Sequence, residues 1–205
     1  MKTIYHAVYE TMADWETGHA TAHIRNGQFH REPGRYRLVT VGLTTGPVTT
    51  MGGLRVTPDV SIDSIEDAAM LILPGAALWD EGDELAPFAR KARELLEAGV
   101  PVAAICGATA GLAREGVLDA RDHTSAALPY LQMQPGYGGA EHYVDALAVT
   151  GGDLVTGTPT APADFAREVF AKLELYTPEV LEAWYRLFAH NDASAFEKLM
   201  AESGA

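Results

Sequence analysis

The chain has 205 residues, 47% hydrophobic and 21% charged, an ordinary globular composition that excludes wholesale disorder. With 28 acids against 15 bases the net charge is -13, which argues against docking on nucleic acid or anionic lipid. A single cysteine excludes an intrachain disulfide and fits a reducing, cytoplasmic compartment, and no apolar run reaches the ~20 residues of a membrane helix.

The segment Met1–Glu10 is too short and mixed for a signal peptide, and Thr3–Tyr9, rich in β-branched and aromatic residues, predicts a strand. From Met12 the pattern turns helical, with Asp14 as N-cap, Trp15–Ile24 burying one face, and Asn26-Gly27 as the stop. Arg37–Leu43 predicts a second strand. Thr44–Asp59, rich in Thr, Gly and Pro, predicts a turn and short strand pair around Met51–Leu54. Ser64–Ala68 predicts a short acidic helix. Ala69–Leu73 is an uninterrupted apolar run, the pattern of a strand covered on both faces, and Pro74-Gly75 ends it.

Leu85, Phe88, Ala92, Leu95 and Leu96 then recur at helical spacing among charged residues, with Gly99 as the stop. Val100–Ile105 predicts another buried strand, Cys106-Gly107 a sharp junction, and Ala108–Glu115 a helix. Val144–Thr156, with Gly151-Gly152 inside it, predicts a β-hairpin. Ala163–Leu175 predicts a helix, Pro178 begins another, and a short one runs from Ser194 to Met200.

Strands alternating with helices predict an α/β fold: a mostly parallel sheet covered on both faces, a flavodoxin-like three-layer sandwich. Residues 1–176 are expected to form that domain and 177–205 a C-terminal helical extension packed on it. The ligand crevice of such a sheet lies at the carboxyl ends of its strands. Pro74-Gly75-Ala76 and Cys106-Gly107 both fall there. At Ala104-Ile105-Cys106-Gly107-Ala108-Thr109 a strand feeds a tight turn and then a helix, a nucleophile-elbow arrangement with sulfur in place of a serine hydroxyl. The helix N-terminus would favour thiolate, and its amides could hold a developing oxyanion.

Leu71–Ala76, Ala104–Thr109 and an acidic residue after the first strand, in that order, resemble the ThiJ/PfpI family of the class I glutamine amidotransferase-like superfamily. The resemblance runs from Thr3 to about Leu175. It implies that Glu16, in Ala13-Asp14-Trp15-Glu16-Thr17, contacts the sulfur of Cys106 from the helix after the first strand. A carboxyl group in a partly dry site keeps its proton and can donate a hydrogen bond to a thiolate. The resemblance also implies an anion-stabilising pair of amides at Ala76 and Gly107. Gly75-Ala76 stands where many relatives carry two glycines, and Trp79 follows as a candidate pocket residue.

Several family branches supply a histidine to the thiol. Here Gly107, not histidine, follows Cys106, and His123 precedes Thr124-Ser125 where a branch of the family has its histidine after such a pair. His123 is retained as a third catalytic candidate, although a structural histidine fits the position as well. His19 and His23, four apart, lack the further ligands of a metal site, and Gly136–Gly139 lacks the lysine of a phosphate loop, so no metal is expected.

The resemblance thus implies a small-molecule hydrolase or lyase, amidase-like or glyoxalase/deglycase-like, acting on a carbonyl or amide without a cofactor. The missing histidine makes peptidase activity doubtful. Family members commonly dimerise, so a homodimer is expected. The competing expectation is a non-catalytic stress, redox-sensing or chaperone-like protein in which Cys106 is oxidised.

Overall fold

The computed structural model describes residues 1–202. Its main sheet has seven strands: β1 (Lys2–Ala7), β2 (Tyr36–Gly42), β5 (Val60–Ser61), β6 (Ala68–Leu73), β7 (Val102–Ile105), β8 (Ala148–Gly151) and β9 (Leu154–Gly157). They lie in the order β5-β2-β1-β6-β7-β9-β8. All neighbours are parallel except β8 and β9, which form the hairpin expected around Gly151-Gly152. A separate antiparallel pair, β3 (Val48–Thr49) and β4 (Arg55–Val56), occupies the Thr44–Asp59 stretch.

The helices are α1 (Gly18–Asn26), α2 (Ala86–Glu97), α3 (Gly107–Arg114), α4 (Leu128–Gln132), α5 (Pro162–Lys172), α6 (Pro178–His190) and α7 (Ser194–Glu202). Successive strand residues point to opposite faces, and β6 shows the consequence. Leu71 and Leu73 join a core with Phe88, Ala92 and Leu96 of α2 and Leu112 of α3. Met70 and Ile72 join a second core with Ile24 of α1, Phe165, Val169 and Phe170 of α5, and Trp184 of α6. This is why Ala68–Leu73 carries apolar residues throughout instead of alternating them. The helices beyond α5 extend the second core, as Val180, Ala183, Trp184, Ala195 and Leu199 are all buried there.

Three local expectations are corrected. Helix α1 begins at Gly18, not after Asp14, and Glu16 sits in the turn before it. Asp14 does not cap a helix, because its carboxylate accepts from Thr50 Oγ1 at 2.5 Å and from Gly52 N at 2.6 Å, tying the β3–β4 hairpin to the turn. The acidic stretch after Ser61 makes only one 3-10 turn at Ile62–Ser64, and the chain enters β6 at Ala68.

Candidate active site

The strands β1, β6 and β7 are central and adjacent, and the chain leaving the carboxyl end of each supplies one part of the site. β7 leads into Cys106, which holds φ 57° and ψ -126°, a backbone region that side-chain-bearing residues rarely occupy. Hydrogen bonds fix this bend from both sides. Cys106 N donates to Gly157 O at 3.0 Å, and Cys106 O accepts from Thr109 N at 3.0 Å and Thr109 Oγ1 at 2.6 Å. Thr109 Oγ1 also lies 2.7 Å from Ser125 Oγ. Gly107 follows in a tight space, since a Cβ there would lie 3.2 Å from both Ala76 O and Trp79 Cβ.

Glu16 is 1% exposed, and its Oε2 accepts from Gly75 N at 2.6 Å. Glu16 and Cys106 lie side by side against Gly75, where an added Cβ would be 2.6 Å from Glu16 Oε2 and 2.9 Å from Cys106 Cβ, and each shifts the other's pKa. Burial pushes the Glu16 carboxyl up to about 7, against the lowering effect of Cys106 and of the Gly75 hydrogen bond. Burial also pushes the Cys106 thiol up to about 12, reinforced by Glu16 and opposed by the Gly107 N–H. The expectation that the helix N-terminus and Glu16 together depress the thiol pKa is therefore corrected, because burial raises it and Glu16 adds to the rise. The two groups form one acid pair. Both groups are pushed toward their protonated forms, the thiol more strongly than the carboxyl.

The sequence placed Gly75, Ala76, Gly107 and Trp79 around the sulfur as binding groups. Gly75 gives its N–H to Glu16 and so is not free for substrate. The Ala76 N–H has no protein acceptor among the described residues, and the Gly107 N–H acts on the sulfur to lower its pKa. Trp79 is 1% exposed and lies beneath the site, not in it. Its Nε1 donates to Tyr9 Oη and Pro74 O, both at 3.1 Å, and its ring fills the space over Gly111.

His123 does not join Cys106. Its Nδ1 lies 2.7 Å from Arg121 O and its Nε2 2.8 Å from Tyr137 Oη, so both ring nitrogens are engaged, and burial holds the ring neutral. His23 is likewise committed elsewhere, its Nε2 accepting from Trp184 Nε1 at 3.1 Å. Among the described residues no cluster of three or more His, Cys, Asp and Glu side chains has metal-binding geometry.

Sequence reasoning missed Tyr9, which donates to Pro74 O and closes the floor with Trp79. It also missed Asp80 and Tyr130, joined by a Tyr130 Oη to Asp80 Oδ1 hydrogen bond of 2.7 Å. These partners lie 50 or more residues apart and carry no motif, so only the fold brings them together.

Residues 2–172 match the DJ-1/PfpI family. An "Uncharacterized protease YoaZ" of Bacillus subtilis is 39% identical over 97% of this chain and 96% of its own length. Among solved structures, a ThiJ/PfpI family protein from Bacillus anthracis superimposes with a TM-score of 0.94 at 37% identity, covering 100% of this chain and 99% of that one. A DJ-1 superfamily protein from Agrobacterium tumefaciens gives 0.80 at 35% identity over 93% of this chain and 99% of the other. Among the described residues no helix is long and apolar enough to cross a membrane. With its motif segments on three adjacent strands and its family match running through α5, the chain belongs to the DJ-1/PfpI family.

Proposed function

We propose that the protein is a cysteine-dependent hydrolase or lyase of small carbonyl or amide compounds, with Cys106 as nucleophile and Glu16 as its proton partner. The observation that carries this reading is the buried Glu16 carboxyl packed beside a partly exposed thiol on a strained bend. With one proton between them, the reactive form is thiolate beside carboxylic acid. That form is the less populated one, because burial and Glu16 hold the thiol up; the Gly107 N–H and the N-terminus of α3 favour charge on sulfur against them, and the dry carboxyl favours keeping its proton. The thiolate adds to the carbonyl carbon, and the C=O electron pair moves to oxygen, where the Ala76 and Gly107 N–H groups receive it. Glu16 then passes its proton to the adduct or the leaving group.

Cytoplasmic residence and a homodimer accompany this reading, the second in keeping with the family's habit. Hydrolysis of simple amides or turnover of methylglyoxal, abolished in Cys106→Ser, is the expected result. Equal turnover in that variant contradicts it.

A second reading has its own observation. Both nitrogens of His123 are bound elsewhere, which leaves the thiol without a histidine base. In that reading the sulfur is a sensor, oxidised to the sulfinate and held by Glu16. A gain of two oxygens on Cys106 under mild peroxide, without turnover of any carbonyl, favours it.

A further inference from the structure

The chain that supplies Ala76 and Trp79 to the site ends its 3-10 turn at Asp80. That turn packs on the first turn of α3, since a Cβ on Gly107 would touch both Ala76 O and Trp79 Cβ. Asp80 therefore follows directly on the residues that border Gly107, next to Cys106. It is exposed, and among the described residues no Lys or Arg pairs with it. Its charge acts on the Cys106 thiol in the same direction as that of Glu16 and is the smallest of the influences there, and Cys106 in turn acts on Tyr130.

The position of Asp80 is not left to solvent. Tyr130 Oη donates to Asp80 Oδ1 at 2.7 Å. Tyr130 O in turn accepts from Gln134 Nε2 at 3.1 Å, Gln134 Oε1 accepts from Arg114 Nη1 at 2.6 Å, and Arg114 Nη2 donates to Trp79 O at 2.9 Å. The guanidinium of Arg114 gives its hydrogen bonds to these two neutral oxygens and braces α4 against the turn; it makes no direct ion pair with Asp80, and its charge offsets part of the carboxylate's field. One carboxylate oxygen is held and the other is open.

We infer that Asp80, positioned by Tyr130, selects the substrate by charge, favouring small carbonyl or amide compounds that carry a cationic amino group over those that carry a carboxylate. This rests on Cys106 being the reactive group, as proposed above. A fixed negative charge near a partly dry site raises the local concentration of cations and repels anions. A substrate ammonium would take the free oxygen of Asp80, and a substrate carboxylate would face it unpaired.

The test uses two thiol reagents with the same reactive group and opposite charge, ethylammonium and ethylsulfonate methanethiosulfonate. Each forms a mixed disulfide with Cys106 and releases methanesulfinate. The rate ratio of cation to anion, divided by the ratio for a free thiol, reads the field at the sulfur without any turnover. In the wild-type chain the expected value is about tenfold or more. Asp80→Asn, whose amide oxygen still accepts from Tyr130, should lower it several-fold. Tyr130→Phe should lower it in part, because the carboxylate stays but swings free. Asp63→Asn, on an exposed turn at the far edge of the sheet, should leave it unchanged and so controls for net charge. A wild-type ratio equal to that of a free thiol, or a ratio equally lowered by Asp63→Asn and Asp80→Asn, overturns the inference while the reactive thiol stands. A Cys106 inert to both reagents overturns the reactive thiol and the inference with it.

Discussion

Gly75 donates its backbone N–H to Glu16 Oε2 across 2.6 Å, and no side chain fits in its place. A Cβ on Gly75 would lie 2.6 Å from Glu16 Oε2 and 2.9 Å from Cys106 Cβ. Glycine is needed here for space and not for a left-handed backbone, as Gly75 is absent from the positive-φ residues. Gly75→Ala must push the carboxyl off the sulfur. It should cost about 1–3 kcal/mol of stability, measured by urea denaturation, and should slow alkylation of Cys106 by iodoacetamide at neutral pH. A variant with wild-type stability and alkylation rate would show that the two side chains are not held across this glycine.

Gly111 offers a sharper version of the same reasoning. It lies inside α3, where replacing glycine by alanine ordinarily stabilises a helix by about 1 kcal/mol. Here the added Cβ would lie 2.2 Å from Trp79 Cζ3 and 2.6 Å from Cε3. The indole is 1% exposed and hydrogen-bonded at Nε1, so it has little room to withdraw. Gly111→Ala should therefore lower the thermal midpoint, by several degrees for a destabilisation of about 2 kcal/mol. A rise would mean that the Trp79 ring is free to shift.

The strained backbone of Cys106 predicts an inverted ranking of two substitutions. Alanine keeps the Cβ that makes φ 57° unfavourable, whereas glycine removes it. Cys106→Gly should be more stable than Cys106→Ala by about 1 kcal/mol, although glycine adds entropy to the unfolded chain. Both should lack alkylation. Calorimetry of the pair decides it, and a more stable Cys106→Ala would show that the bend stores no strain.

Two buried groups set opposite pH dependences. Glu16 is raised to about 7, so the folded state holds its proton more tightly than the unfolded chain does. Its contribution is fully present below about 4.5 and is lost as pH rises through 7. His6, with Nε2 2.9 Å from Thr17 Oγ1, is lowered by burial to about 4. Its contribution is full above about 6.5 and is lost as pH falls toward 4, on the order of 3 kcal/mol in all. Thermal melts should therefore show Glu16→Gln gaining on the wild type between pH 5 and pH 8. A constant difference across that range would mean that Glu16 has an ordinary carboxylate titration.

The sheet was legible because buried parallel strands leave an unmistakable trace. Ala69–Leu73 and Val100–Ile105 are apolar throughout, and the structure shows why, with neighbours in β6 feeding two different cores. The bend at Cys106 was legible too, since small residues on both sides of a thiol after a strand leave few other geometries. The turn Tyr9–Thr17 was not. Its polar residues read as the start of a helix, but Asp14 is engaged 36 and 38 residues away by Thr50 and Gly52. A side chain that caps locally and one that clamps a distant loop look alike in sequence.

The same limit hid Asp80 and Tyr130 and misread Trp79. An aromatic after a glycine-containing turn gives no sign of whether it lines a crevice or supports it from below. The outcome turned on Gly111, whose missing side chain makes room for the ring. Alternation alone could not place His123, because it lies in an isolated bridge with Tyr143 and not in a continuous strand.

The rate of Cys106 alkylation by iodoacetamide, followed against pH in the wild type and in Glu16→Gln, tests the shared proton directly. If the proton stays on the carboxyl, wild-type reactivity rises through an apparent pKa near 7 and that midpoint moves upward in Glu16→Gln. A wild-type thiol that stays unreactive until strong alkali, and that becomes reactive at lower pH once Glu16 is replaced, would mean that the carboxylate ionises first and suppresses the thiolate.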